Sequence, residues 1–300
     1  MGLRSTLKAL GFALLVAIGI PGNATILTFF LHTQLAKRKL SPTDFILSTL
    51  AFVNLLVIVS RGIPQTLSAV GIPQLFDNYA CKVVIYIYRV GRAMVICVTC
   101  LLSTYQCIAV LPASERGLIL KHRVSQNIWV ILLTLWGLNC LLSQSTLLYS
   151  HAISNYTIPP YTVNLEFCQV VFPDYISYTS AGVVFVVRDF LFVGLMTLSS
   201  CCLVCILYRH RKQVTGIRSS DRTSRAMAED KASRSVVLLV TLYILLFGLD
   251  NEIWIYSLSA LQEASTISDA RVFFTSMYSA LSPIVILITN QKLRMKKLCL

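Results

Sequence analysis

Seven charged residues lie well inside otherwise apolar stretches of this chain: Arg61, Arg89, Arg92, Arg188, Asp189, Asp250 and Glu252. A charged side chain in hydrocarbon costs about 3 kcal/mol or more on insertion scales, so each should face a protein interior. Four arginines meet three carboxylates, which leaves one positive charge in excess. Arg89 and Arg92 are three residues apart and share a helix face. Two guanidinium groups so close repel unless an anion lies between them. Asp250 or Glu252 could supply that anion, and so could a ligand carboxylate held by two parallel N–H···O bonds. The competing role is an internal salt-bridge network that only fastens helices together. Tyr88, Trp254, Tyr256, Phe274 and Tyr278 offer aromatic walls nearby, or ordinary packing.

Enzyme chemistry finds little support. His32, His122, His151 and His210 read as loop residues on both sides of a membrane, so no two share a metal. No HExxH, GxSxG, P-loop or GxGxxG occurs, and no carboxylate pair stands beside an activating histidine. The expectation is no catalytic residue, no metal and no cofactor.

The elements that must position these charges are seven apolar spans: Ala9–Leu31, Thr43–Ser60, Val83–Cys107, Ile128–Tyr149, Tyr178–Tyr208, Ser235–Leu258 and Val272–Thr289. About 20 helical residues cross a hydrocarbon core roughly 30 Å thick. Thr43–Ser60 is short, but Arg61–Gln65 can extend it. Backbone in lipid must satisfy its own hydrogen bonds, so helices are expected. The composition agrees: 56% hydrophobic, 13% charged, mean hydropathy +0.71.

The net charge of +13 does not point to nucleic acid, because the cations are distributed by topology. Most of them fall in alternate gaps: Lys37–Lys39, then Arg116, Lys121 and Arg123, then the 209–234 loop, then the 290–300 tail. The positive-inside rule places these gaps in the cytoplasm and the short 1–8 segment outside. Attraction to anionic membrane lipid accompanies such a distribution. Ala9–Leu31 is too long for a signal peptide and is followed by Lys37–Lys39, so it reads as an anchored first helix. One domain over 1–300 is expected, with no internal repeat of the kind that builds transporters from duplicated halves.

Depth separates a pocket from a channel. Arg89 and Arg92 lie roughly 12 and 16 Å below the outer rim, counted from Cys81, and Asp250 lies roughly 24 Å above the inner face. Apart from Asp44 at the inner edge of the second span, the inner half holds no carboxylate or basic side chain in its helices. A through-path for ions would continue downward, whereas an outward-facing pocket stops halfway. Cys81 and Cys168 are the two outer-side cysteines, in the compartment where a disulfide persists; two free thiols are the alternative. Asn155-Tyr156-Thr157 is a glycosylation sequon in the same outer loop. Cys299, near basic residues of the tail, is open to palmitoylation.

A resemblance covers nearly the whole chain. SPTDFILSTLAFVNLLVIVSRGIPQTL (Ser41–Leu67), YRVGRAMVICVTCLLSTYQCIAVLP (Tyr88–Pro112), YRHRKQV (Tyr208–Val214) and SPIVI (Ser282–Ile286) resemble vomeronasal type 1 receptors, in particular the teleost olfactory receptor class A-related branch. The resemblance implies a chemosensory G-protein-coupled receptor of sensory neurons, signalling through inhibitory-type G proteins. Compared with rhodopsin-like receptors, Gly22-Asn23 matches the first-helix signature. Asn54 replaces the usual sodium-binding Asp, and Tyr105-Gln106-Cys107 replaces Asp-Arg-Tyr. The sixth span has no proline, and Ser282-Pro283 is followed by Ile286 in place of a tyrosine.

The sequence therefore leads to an all-α, seven-transmembrane-helix bundle of G-protein-coupled-receptor type. A small, anionic and partly aromatic ligand is expected in the outer half, against Arg89, Arg92, Tyr88, Arg188, Arg61, Asp250 and Glu252. A heterotrimeric G protein is expected at Tyr105, Gln106, Pro112, Arg209, Arg211 and Lys212. A bitter-taste-type receptor is the nearest alternative, and a transporter or channel is a more distant one.

Overall fold

The computed structural model describes residues 3–36, 40–72, 75–111, 115–153, 161–214, 234–250 and 264–289. The elements are α1 (Leu3–Leu35), α2 (Pro42–Val57), a π-turn (Ile58–Gly62), α3 (Ile63–Val70), α4 (Asn78–Val110), α5 (Glu115–Gln126), α6 (Ile128–Leu142) and α7 (Gln144–Tyr149). Three strands follow, β1 (Ser150–Ala152), β2 (Thr162–Asn164) and β3 (Cys168–Val171), then α8 (Tyr175–Val214), α9 (234–250) and α10 (Ala264–Thr289). Six helices among the described residues are long and apolar enough to cross a membrane, and α9 supplies the remaining apolar stretch of a seven-helix bundle.

The helices are longer than the apolar runs that announced them. α1 already starts at Leu3, inside the segment read as an outer amino terminus, and α8 continues to Val214, past the start of the 209–234 loop. Accordingly His32, His122 and His210, read as loop residues, lie in α1, α5 and α8. Hydropathy marks where lipid ends, but a helix continues until capping or proline stops it. At the start of α2 the stop is visible. The Ser41 hydroxyl accepts from Asp44 N–H at 3.3 Å, Asp44 accepts from Ser41 N–H at 3.4 Å, and Pro42 occupies the first turn. At the start of α8, Asp174 accepts from Ser177 N–H at 2.6 Å, and the Ser177 hydroxyl first, with this N–H second, holds its carboxyl below the usual range.

Helices in lipid gain nothing from excluding water against one another, so close approach and polar contacts select the neighbours. α4 is central and packs against α2, α6 and α8. α1 packs against α2, α3 and α10. Gly19 makes the α1 contact possible: a Cβ there would lie 2.4 Å from Ile58 Cδ1 and 3.2 Å from Ala280 Cα. Four residues later Asn23 donates to Gly19 O at 2.8 Å and to Ser279 O at 3.0 Å, and Asn54 donates to Ser282 Oγ at 2.9 Å. These amides tie α1, α2 and α10 together where the rhodopsin-like signature of α1 and the substituted sodium position meet.

The π-turn lets the second span continue beyond Ser60. Ile63 N–H bonds Ile58 O, one residue further back than in an α-helix. Pro64 has no N–H for Ser60 O, which favours the wider turn. The extra residue turns Arg61 inward, where only 2% of it is exposed. The loop between α7 and α8 holds an antiparallel sheet in the order β1-β3-β2, which the all-α expectation omitted. A disulfide joins Cys81, at the start of α4, to Cys168, at the start of β3, with Cα atoms 5.8 Å apart.

Candidate ligand site

The charges converge in the half of the bundle that carries the disulfide. From α4, Arg92 Nη2 donates to Asp250 Oδ2 of α9 at 3.2 Å and lies 3.9 Å from Asp189 of α8. Asp189 accepts two bonds from its neighbour Arg188, at 2.9 and 2.7 Å. Arg188 Nη1 reaches Asn139 Oδ1 of α6 at 3.5 Å, and the Asn139 amide donates back to Leu135 O at 2.8 Å. Asp250, Arg92, Asp189, Arg188 and Asn139 thus form one polar chain across α9, α4, α8 and α6.

Arg89 stands apart from that chain. Its guanidinium carbon lies 5.0 Å from the centre of the Phe185 ring, and Arg188 lies 5.3 Å from the same ring. Among the described residues Arg89 makes no ion pair. Cation–π attraction is weaker than a buried ion pair, so Arg89 keeps most of its capacity to bind an anion. Arg61 is elsewhere, sandwiched between Tyr88 at 5.4 Å and Phe167 at 5.0 Å. Tyr88 therefore faces the π-turn.

Beside Arg92 is a cavity of about 30 Å³ lined by Arg92, Asp250, Tyr243, Phe247, Phe274 and Tyr278, among others. Its aromatic wall is ordered: Tyr243 meets Tyr278 edge-on at 4.9 Å, and Tyr278 OH shares a hydrogen bond with Thr99 at 3.0 Å. The space suits water-sized guests, whereas organic ligands occupy roughly 300 Å³ or more. A molecule of that size would fit here only with the surrounding helices moved apart.

A roof closes this end of the bundle. The turn between β2 and β3 places Leu165, Phe167 and Cys168 in the interior. Glu166 has φ of +70°, uncommon for a side-chain-bearing residue, and its carboxylate pairs with Lys8 of α1 and accepts from Gln65 of α3 at 2.6 Å. Conformations of this kind cost about 1–3 kcal/mol and persist where the surroundings enforce them.

Of the residues expected to bind ligand, the structure brings Arg89, Arg92, Arg188 and Asp250 together with Phe274 and Tyr278, and sets Arg61 with Tyr88 under the roof. Glu252, Trp254 and Tyr256 lie outside the described residues, as do Asn155, Pro112 and Cys299. At the opposite end Tyr105 and Gln106 are buried, with Gln106 donating to Thr43 at 3.4 Å. Arg209 is exposed near the end of α8, and Arg211 and Lys212 belong to its last turn. Sequence reasoning misses Phe185, Asn139 and Glu166. Phe185 has a signal, three residues before Arg188 and so on its face. Asn139 is a lone amide in an apolar run. Glu166 has none.

The model of the Vomeronasal organ pheromone receptor family matches residues 9–299. The chain belongs to that family. It is similar to Olfactory receptor class A-like protein 1 of Danio rerio, 42% identical over 300 residues, covering 100% of this chain and 94% of that one. It is also similar to Vomeronasal type-1 receptor 3 of Homo sapiens, 34% identical over 236 residues, with 78% and 76% covered. Vomeronasal type-1 receptor 1 of Homo sapiens is 29% identical over 283 residues, with 94% and 80% covered. This receptor is thus a multi-pass membrane protein of a chemosensory G-protein-coupled class, and the family is not one of enzymes.

Proposed function

We propose that this receptor detects a small anionic, partly aromatic molecule held by Arg89 and Arg188 beside Phe185, with the Tyr243–Tyr278 wall below. The observation that carries this reading is Arg89, a buried-helix arginine stacked on a ring it shares with a second arginine and paired with no carboxylate among the described residues. Among the described residues three guanidinium groups, Arg89, Arg92 and Arg188, meet two carboxylates, Asp189 and Asp250, and an anion would complete that balance. Arg61 and Tyr88 serve the roof through which the ligand passes.

The amino terminus is outside and the tail is in the cytoplasm of a chemosensory neuron, in keeping with the Lys/Arg distribution. Binding shifts the helix packing, and the inner end then favours a heterotrimeric G protein, of the inhibitory type that the family resemblance implies. Arg209, Arg211 and Lys212 attract that partner, and Tyr105, Gln106 and Pro112 meet it once the end opens.

The test is a screen of carboxylic acids and their neutral amides on cells with matched surface levels of the parent, Arg89→Ala and Arg89→Lys. Acids should activate the parent and lose most potency on Arg89→Ala, with Arg89→Lys between them. Equal responses of parent and Arg89→Ala to acids would refute the anion site.

A further inference from the structure

Arg89 and Arg92 look equivalent in sequence and are not equivalent in space. Three residues turn a helix by about 300°, so the two side chains diverge by about 60°. Arg89 points to the Phe185 ring of α8. Arg92 points between α8 and α9, where Asp250 is 3.2 Å away and Asp189 is 3.9 Å away. The first distance is a hydrogen bond; the second is not. Asp189 is already engaged by Arg188 at 2.7 Å. The stronger bond of Arg92 is therefore the one that crosses from α4 to α9.

Two features make α9 the helix that such a bond can control. It has no proline over 234–250, so it has no built-in kink about which to pivot. Two residues before Asp250 stands Gly248, where an added Cβ would meet nothing within 4 Å. No neighbour requires glycine there, and glycine loosens a helix interior. A weak point thus lies immediately beside the residue that Arg92 holds. Asp250 also lines the cavity together with Arg92 and Tyr243, so anything entering the cavity meets this ion pair.

We infer that the Arg92–Asp250 contact is a ligand-operated catch: without ligand it holds α9 to α4, and an anion that takes Arg92 from Asp250 releases α9 at Gly248. The inference rests on the anion reading for what opens the catch, but the catch itself does not. Arg89 anchors the ligand beside Phe185, and Arg92 is the group that the ligand's anion draws away from Asp250. A ligand gains this leverage because the bond it competes for is the one that crosses from α4 to α9, and the α9 segment below then tilts as a unit.

The experiment needs no ligand. Amide hydrogen exchange of the 234–250 segment is compared among the purified parent, Asp250→Asn, Arg92→Gln and the charge swap Arg92→Asp with Asp250→Arg. Basal nucleotide exchange on a panel of G-protein α subunits is read in parallel. Either single variant should speed exchange in α9 about tenfold, equivalent to about 1.4 kcal/mol. The swap should restore the parent rate, which repacking alone does not do. Parent-like exchange in both single variants, or a swap no better than the singles, overturns the catch. Failure of Arg89→Ala to discriminate acids, with the exchange result intact, removes only the anion reading.

Discussion

The guanidinium of Arg61 lies 5.0 Å from the ring centre of Phe167, so the interior of the second span meets the roof hairpin through a cation and an aromatic face. Arg61 reaches that position because the π-turn adds a residue ahead of Pro64. Phe167 reaches it because Cys168, its neighbour, is bonded to α4. Phe167→Ala should cost about 3 kcal/mol of stability, as large-to-small changes at buried aromatics do. Glu166→Gln keeps its bond with Gln65 but loses the charge that meets Lys8. The pair is partly exposed, so the cost should be about 0–1 kcal/mol, and the effect should be local. Thermal unfolding reads the first, and hydrogen exchange confined to 161–172 reads the second. A global loss of stability in Glu166→Gln would count against a local roof fastening.

Cutting the disulfide should be more damaging. Cys81 and Cys168 are 87 residues apart, and the chain-entropy account gives about 4–5 kcal/mol for a loop of that length. Cys81→Ser and Cys168→Ser should each lower surface expression, and the double variant should be no worse than either single. Additive losses would mean that the two cysteines act independently.

Gly19→Ala should destabilise the α1–α10 contact by about 1–3 kcal/mol, the range for overpacking. The added methyl would collide with Ile58 and come close to the Ala280 backbone. Gly137→Ala is the control, because nothing lies within 4 Å of its added Cβ. Melting in detergent should separate the two; equal melting temperatures would show that α1 can move aside.

Replacing Arg209, Arg211 and Lys212 with Ala should reduce nucleotide exchange on the G protein while leaving ligand potency in a binding assay nearly unchanged. Cells with matched surface levels are required, since tail and loop cations also orient the protein. Undiminished exchange would move the docking surface elsewhere.

Topology is tested by tags. An amino-terminal epitope should stain intact cells and a carboxy-terminal one should stain only permeabilised cells. Asn155→Gln should lower the apparent mass. A tail tag visible on intact cells contradicts the proposed orientation, and an unchanged band contradicts a glycan at Asn155.

The buried charges are legible because an arginine in an apolar run is costly and therefore conspicuous. Their partners are less so. The shared face of Arg89 and Arg92 suggests a shared anion, but a 60° offset, about one-sixth of a turn, sends one to a ring and the other to Asp250. Asp189 beside Arg188 is the pair that adjacency does suggest. The strands escape notice because three or four residues are too few to show a period of two. The roof depends on Glu166 with a positive φ and on contacts from α1 and α3, which no local pattern encodes. The π-turn leaves one trace, Arg61 placed three residues before Pro64. Tyr105 and Gln106, placed at the surface by their position near a loop, are covered because α4 is the central helix and its flanks are occupied on every side.

The division between Arg92, held by two carboxylates, and Arg89, held by a ring, has a consequence for how such a receptor can change. A substitution at position 92 loosens the contacts to both α8 and α9, and only a matching change on those helices restores them. A substitution at position 89 disturbs one aromatic contact. On the proposed anion site, new ligand preferences are accessible by single steps at 89 and along the cavity wall, while the polar chain across four helices resists drift.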